Sequence, residues 1–315
     1  MPSLSEFLDD ILTDCGGFGL FQVYLLFSVY ISVIGTAWSM MMMAFAGLYP
    51  AWNCVSEYNE TLPNNSYWRH NVSDINVCSP INNTNATCSK FIFDESMSTV
   101  INQWNLICDE NWVSSTITTI QMAGLLVSGF VSGQIADSFG RKPTLLLSIL
   151  FQVLFNAGAA FSVSWEMFAA FRFFIGFATG CYFTVFVPFL IEFIPAKWRP
   201  ITLAIPTFSL SVAMFALVAW WLHDWMKLHI ANAIVGVPGL LLCWFLPESF
   251  RWLKAEHVVR RIAKTNGSVL RNYEKLSQML ETELNNEKQP DRTYTVKDLF
   301  YSSKLARITI CHSVG

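Results

Sequence analysis

Six long apolar stretches, separated by polar segments, dominate the hydrophobic pattern of the chain. A helix needs about 20 apolar residues to cross the hydrocarbon core of a bilayer, and each stretch is near or above that length. The pattern predicts six transmembrane helices, named TM1 to TM6 in chain order: 20–47, 112–136, 143–163, 167–188, 200–222 and 229–246. Pro206 in TM5 and Pro238 in TM6 are expected to be kinks that neighbouring helices support.

The composition agrees with a lipid environment. The chain has 315 residues, of which 53% are hydrophobic and only 14% are charged, whereas about a quarter of a soluble domain is charged. Of its 20 Lys and Arg and 23 Asp and Glu, only Arg172 lies within an apolar stretch. A net charge of −3 does not indicate a nucleic-acid partner. The bilayer is the predicted surrounding of the helices, and the fold class is an all-α membrane protein.

The basic residues predict the orientation of the helices. The loops after TM2 and TM4 and the segment after TM6 carry 16 of the 20 Lys and Arg, and the loops after TM1, TM3 and TM5 carry three. Because cytoplasmic loops are enriched in Lys and Arg, we expect the N-terminus (1–19) and the segment 247–304 to be cytoplasmic. Within that segment, apolar and charged residues predict two helices, near 255–264 and 271–286.

The loop between TM1 and TM2 (48–111) carries features of an extracellular segment. Its five Asn-x-Ser/Thr acceptor sites predict glycosylation at Asn59, Asn64, Asn71, Asn82 and Asn85. Four cysteines in the same loop fit two disulfides, with three possible pairings: Cys54, Cys78, Cys88 and Cys108. A sixth acceptor site, Asn266, falls on the cytoplasmic side and is expected to be unused.

Charged residues and glycines recur at the cytoplasmic ends of the predicted helices. The turn after TM2 contains Gly133, Asp137, Gly140, Arg141 and Lys142. This spacing resembles the loop signature of the major facilitator superfamily, in which an acid and a basic cluster hold the cytoplasmic side closed in one state. The resemblance implies an N-terminal bundle of six helices from a twelve-helix transporter.

TM4 strengthens this resemblance. Arg172, Gly176 and Gly180 are four residues apart and share one helix face, which suits a close-packed helix seam with a guanidinium directed into protein or water. Snorkelling of Arg172 to the outer surface is the alternative. We expect Gly129 and Gly133 to form a similar seam in TM2.

Two further sequence segments narrow the resemblance to one family within this superfamily. Glu192 and Arg199 follow TM4, and Pro247-Glu248-Ser249-Phe250-Arg251-Trp252-Leu253 follows TM6. The second string resembles a segment of the organic cation, anion and carnitine transporter family, as do Gln103-Trp104-Asn105-Leu106-Ile107-Cys108-Asp109 and the large loop itself. The resemblance implies a multi-pass protein of the plasma membrane with a small organic ion as substrate.

The resemblance also suggests which residues face a central cavity. In the superfamily, the first, second, fourth and fifth helices line that cavity, and the third and sixth are peripheral. Aromatic and polar side chains on the four lining helices are the candidates: Tyr30, Trp38, Gln121, Tyr182, Phe183, Phe186, Ser209 and Ser211. Aromatic faces can hold organic cations.

The expected function is alternating-access transport of organic cations or carnitine-like zwitterions, with anions less favoured. We expect this chain to be one half of the carrier, with 305–315 as the start of a truncated seventh helix and the C-terminal six-helix half as its partner. The alternative is a receptor-like glycoprotein or a regulatory truncated isoform that does not transport. An enzyme is not expected, because the five His form no ligand cluster and no nucleophile or phosphate-loop motif occurs. Neither a cofactor nor a metal is predicted.

Overall fold

The computed structural model describes residues 12–13, 17–55, 90–248 and 255–266, and the side chains of 53–55, 90 and 255–260 are not part of that description. Six helices in these ranges are long and apolar enough to cross a membrane. They confirm the predicted all-α membrane fold with six spans.

The spans are formed by seven of the nine α-helices in the described ranges. TM1 corresponds to α1 (Leu20–Ala46), TM2 to α3 (Trp112–Phe139), TM3 to α4 (Arg141–Ala160), TM4 to α5 (Trp165–Glu192) and TM6 to α8 (Trp225–Trp244). TM5 comprises α6 (Arg199–Ala204) and α7 (Thr207–Leu222). Two helices lie outside the spans: α2 (Val100–Trp104) and α9 (Ala255–Asn266).

TM5 differs from the predicted continuous helix. Ile205 adopts an extended conformation with ψ of 120°, and Pro206 precedes the first residue of α7. A proline disfavours the helical conformation of the residue before it and cannot donate a backbone hydrogen bond. Pro206 therefore breaks the span into two helices, whereas Pro188 in α5 and Pro238 in α8 remain inside continuous helices.

The described parts of the loop after TM1 contain a two-stranded sheet and a short helix. Strands β1 (Trp52–Val55) and β2 (Lys90–Phe93) pair antiparallel, with Trp52 opposite Phe93. Thr99 is the N-cap of the following helix α2, and its side chain accepts a hydrogen bond from Asn102 N. Trp104 at the end of α2 packs against Phe168 and Trp225, so the loop contacts the ends of α5 and α8.

Close helix packing depends on a few glycines. A Cβ on Gly176 would meet the carbonyl oxygen of Gln121, and one on Gly124 would meet that of Phe173. The backbones of α3 and α5 therefore approach too closely for any other residue at these positions, and this pair has the most extensive contact in the bundle. A second tight crossing joins α1 and α8, where a Cβ on Gly239 would lie 2.9 Å from Ser32 Cα.

The glycine seam in the second span is not the predicted one. A Cβ on Gly129 or Gly133 would meet nothing within 4 Å. Gly124 occupies the packed position instead, because it lies on the face of α3 that α5 covers. On α3, the exposed residues around Gly129 include Leu126 and Phe130.

Candidate functional site

A charge cluster, at the end of the bundle that the sequence predicts to be cytoplasmic, joins three elements. It consists of Arg141 and Lys142 at the start of α4, Glu192 at the end of α5, and Glu248 after α8. Arg141 and Glu192 form an ion pair, and the backbone N–H of Lys142 donates to Glu248 Oε1 at 3.0 Å. Arg141 and Glu192 are 51 positions apart in the chain, and Lys142 and Glu248 are 106 positions apart.

The turn before this cluster requires a glycine. Gly140 links α3 to α4 with φ of 99°, a region that residues with a Cβ rarely adopt. A Cβ there would also lie 3.3 Å from Glu248 Oε1. Gly140 thus lets the turn bend tightly and lets Glu248 reach the start of α4.

Three further members of the predicted motif are Asp137, Arg199 and Arg251. Asp137 is exposed and, within the described part of the chain, makes no ion pair or hydrogen bond. Arg199 Nε donates to the carbonyl oxygen of Ile194 at 2.9 Å. Arg251 lies outside the described residues.

Arg172 lies in the interior of the bundle and is fully buried. Its Nη1 donates to the carbonyl oxygen of Ser39 at 3.2 Å, and its Nη2 donates to Gln121 Oε1. Gln121 Nε2 donates to the same carbonyl oxygen at 3.3 Å. The side chain does not snorkel in this structure, and it links α5 to α1 and α3.

Arg172 is part of a buried polar layer that sequence reasoning missed. The layer connects five spans through nine side chains: Thr36, Ser39, Gln121, Gln152, Asn156, Arg172, Thr179, His229 and Asn232. Gln152 and Asn156 face inward from α4, and His229 and Asn232 face inward from α8. In the sequence, these inward-facing residues are recognisable as polar residues three or four positions apart within apolar stretches.

The side-chain amides of Asn and Gln residues take part in the hydrogen bonds of this layer. His229 Nδ1 donates to Asn156 Oδ1 at 3.1 Å, and Asn156 Nδ2 donates to Ser39 Oγ at 2.9 Å. The Asn232 amide lies 2.8 Å from the same hydroxyl. Thr36 Oγ1 donates to Gln152 Oε1 at 3.0 Å. The layer therefore connects the third and sixth spans, which the resemblance placed at the periphery of the cavity, to the first.

The layer borders a small internal space. A cavity of about 10 Å³ lies between α1, α4 and α8 beside Ser39, Asn156 and Asn232, which is the size of roughly one water position. Within the described residues, Arg172 Nε and His229 Nε2 are buried and have no hydrogen-bond partner.

Half of the predicted cavity residues are buried in packing contacts of this bundle. Trp38 Nε1 donates to the carbonyl oxygen of Ser211 at 2.9 Å, and Tyr182 shares a 2.7 Å hydrogen bond with Ser32. The four buried candidates are Trp38, Gln121, Tyr182 and Ser211.

The remaining four candidates are accessible to some degree. Phe183 and Phe186 are half-buried neighbours on α5, and Phe183 also contacts Phe208. Tyr30 is half-buried and donates to the carbonyl oxygen of Thr202 at 2.6 Å, and Ser209 is exposed. These four residues are the accessible members of the predicted cavity wall.

The candidate modification sites lie mostly outside the described residues. This applies to the five loop acceptor asparagines and to Cys78 and Cys88, and the side chain of Cys54 is likewise not described. Cys108 is disulfide-bonded, and Cys181 and Cys243 are buried free thiols.

Comparison with known proteins gives one family match and several relatives. Residues 39–314 match the family described as sugar (and other) transporter. Organic anion transporter 3 of Oryctolagus cuniculus is 28% identical over 99% of this chain and 61% of that protein. The organic cation transporter protein of Drosophila melanogaster is 27% identical over 96% of this chain and 61% of that protein. The chain thus spans about three fifths of the length of these relatives.

Solved structures agree on the fold. The xylose transporter XylE from E. coli, in a partially occluded inward open conformation, matches with a TM-score of 0.54 at 14% identity, over 84% of this chain and 60% of that one. XylE is described as a protein of the major facilitator superfamily. The relatives are solute transporters, which confirms that the chain is not an enzyme. The chain belongs to the sugar (and other) transporter family.

Proposed function

We propose that this chain provides the N-terminal half of a carrier that moves small organic ions across the plasma membrane by alternating access. Organic cations and carnitine-like zwitterions are the favoured substrates, and organic anions come second. The remaining partner is a C-terminal six-helix half, against which this bundle would rock. Relatives named for organic anions and for organic cations support the class of substrate.

The cytoplasmic charge cluster is the observation that carries the proposal. Arg141, Glu192 and Glu248 join α4, α5 and the segment after α8 through contacts that a small displacement would break. Such a cluster can stabilise one state of a carrier and release another, because ion pairs near the surface contribute only about 0–1 kcal/mol each. Asp137 would join the cluster in the opposite state.

The accessible cavity residues would bind the substrate. Phe183 and Phe186 offer aromatic faces, each worth roughly 0.5–2 kcal/mol towards an organic cation. Tyr30 and Ser209 add hydroxyl groups that can bind a carboxylate or hydroxyl of a zwitterion. Arg172 would act behind this wall by holding α1, α3 and α5 in register.

The loop after TM1 would face the outside of the cell. We propose glycans at its five acceptor asparagines and a disulfide framework that includes Cys108. Both the N-terminus and the segment after TM6 would be cytoplasmic.

Uptake by the complete protein tests the proposal. Cells that express it are given labelled tetraethylammonium, carnitine and para-aminohippurate, and uptake is compared with that of mock-transfected cells. We expect uptake of a cation or of carnitine, and an Asp137→Asn variant should transport more slowly at equal surface expression. Surface expression without uptake of any class would contradict transport and favour a receptor-like or regulatory role.

A further inference from the structure

A second cavity lies at the end of the bundle where the loop after TM1 begins. It has a volume of about 180 Å³ and lies between the ends of α1 and α7, the start of α8 and residues 97–99. The sequence predicts that this end is extracellular. We call this cavity the outer pocket. Its lining includes Phe45, Trp220, His223 and Asp224.

Backbone hydrogen bonds fix one wall of the outer pocket. Ser98 N donates to the carbonyl oxygen of His223 at 2.8 Å, and Trp225 N donates to that of Ser98 at 3.1 Å. On the loop side, Asn102 Nδ2 donates to the carbonyl oxygen of Met97 at 2.9 Å. The loop is thereby attached to the turn between α7 and α8, so the pocket does not depend on side-chain packing alone.

Aromatic rings form much of the remaining wall. Trp220 and His223 both line the pocket, with ring centroids 6.4 Å apart, and Phe45 approaches from the end of α1. The faces of such rings attract a cation that has no hydrogen atoms to donate. A hydrated metal ion or a primary amine would instead need several oxygen acceptors.

Asp224 supplies one negative charge at the rim. Its Oδ1 accepts from Met226 N at 2.9 Å and so caps α8, while its Oδ2 lies 3.5 Å from Lys227 Nζ. The Lys227 side chain is largely exposed, at 64%, so its ion pair with Asp224 is weak. The carboxylate therefore retains the capacity to attract a second cation from the pocket side.

We propose that the outer pocket binds a quaternary ammonium group, with its methyl groups against Trp220, His223 and Phe45 and its charge balanced by Asp224. A volume of about 180 Å³ accommodates a group of the size of choline. Two sources carry this chemistry: a free organic cation and the headgroup of phosphatidylcholine in the outer leaflet. Binding at this pocket does not depend on transport through the centre of the molecule.

Calorimetric titration of the purified complete protein tests the proposal, with choline as the probe and uncharged 3,3-dimethylbutan-1-ol as the shape-matched control. Asp224→Asn should weaken choline binding about tenfold while asparagine keeps the helix cap. Trp220→Leu should weaken it roughly threefold to tenfold through loss of the aromatic face. Lys227→Gln should strengthen binding, because it removes the cation that competes for the carboxylate.

Asp224→Asn is expected to weaken choline binding and Lys227→Gln to strengthen it. A general loss of folding would instead weaken binding in both variants. Equal affinity for choline and its uncharged analogue would overturn the proposal, as would unchanged choline affinity in both Asp224→Asn and Lys227→Gln. Nanodiscs distinguish the two sources. Weaker choline binding in phosphatidylcholine than in phosphatidylethanolamine, which has the same net charge but no methyl groups on its nitrogen, supports occupation by the lipid headgroup, and equal binding supports a free cation. Because the readout is binding, a carrier that moves no organic ion would leave this test intact.

Discussion

Arg172 is a buried cation whose hydrogen-bond acceptors among the described residues are both uncharged, a carbonyl oxygen of α1 and the Gln121 side chain. Removing a cation from water costs several kcal/mol, and a well-packed apolar residue at such a position is often neutral or stabilising. A purely structural role would not require this cost. We therefore attribute its presence to a function in transport.

Two substitutions at Arg172 separate function from stability. Arg172→Met should abolish uptake, because the apolar side chain fills the space without linking α5 to α1 and α3. Its melting temperature should stay close to that of the wild type, because removing the buried cation offsets the acceptor that Gln121 leaves without a partner. Arg172→Lys keeps the charge, but a lysine ammonium group cannot reach both acceptors as the planar guanidinium does. One buried acceptor then has no partner, which costs about 1–3 kcal/mol. Uptake and thermal unfolding are measured on the same preparations. Wild-type uptake by Arg172→Met would show that the arginine is dispensable.

Glycine positions in α3 give a second prediction at the residue scale. In Gly124→Ala the new methyl group would meet the carbonyl oxygen of Phe173 and lie 3.0 Å from Phe177 N, both backbone atoms. Overpacking of this kind costs about 1–3 kcal/mol, so the melting temperature should fall by several degrees.

Gly129→Ala is the matched control in the same helix. Its methyl group would meet nothing within 4 Å, and alanine favours a helix over glycine by about 0.8–1 kcal/mol. Its melting temperature should therefore equal or exceed that of the wild type. A similar decrease in both variants would argue against the seam at Gly124.

At the scale of elements, α9 is held to the bundle by the side chain of its last residue. Asn266 Oδ1 accepts from Phe21 N at 3.0 Å, and Asn266 Nδ2 donates to Gln22 Oε1 at 3.1 Å. Phe21 lies in the first turn of α1, where backbone N–H groups have no partner within the helix. Ile262 and Ala263 of α9 are buried as well, so α9 both caps α1 and covers its end.

Loss of this cap should release α9. In Asn266→Ala two hydrogen bonds disappear, each worth about 0.5–1.5 kcal/mol, and hydrogen exchange of the α9 amides should accelerate roughly tenfold. Thr265→Ala is the control, since Thr265 is exposed and bonds only the Arg261 carbonyl oxygen of its own helix. Equal exchange in both variants would show that α9 is attached by its apolar contacts alone.

The elements differ in how well the sequence predicted them. Apolar length identified all six spans, because crossing a bilayer imposes a nearly fixed number of apolar residues. The break at Pro206 and the partners of the charged residues depend on which helices become neighbours, and apolar length does not determine that. Asn156 and His229 illustrate this limit: they lie in different apolar stretches, and only packing of α4 against α8 brings them together.

Glycan mapping tests the arrangement of the whole molecule across the membrane. Endoglycosidase treatment should reduce the apparent mass of the complete protein, and replacing the five loop asparagines by glutamine should remove that shift. Asn266→Gln alone should leave the shift unchanged, because the Asn266 amide is engaged at the end of α1 and the sequence predicts a cytoplasmic position. A glycan at Asn266, or an unglycosylated loop in protein at the cell surface, would contradict the predicted orientation.

In the proposed carrier, the charge cluster formed by Arg141, Lys142, Glu192 and Glu248 should control the equilibrium between states of the whole molecule. Arg141 and Glu192 are about four-fifths buried, so reversing either charge places two like charges in a partly desolvated site. Arg141→Glu and Glu192→Arg should each slow uptake about fivefold or more, since about 1 kcal/mol changes an equilibrium roughly fivefold. The double variant restores an opposite pair across the same two helices and should recover much of the rate at equal surface expression. A double variant as slow as the slower single variant would mean that the two residues act separately, and the cluster would then not connect the motions of α4 and α5.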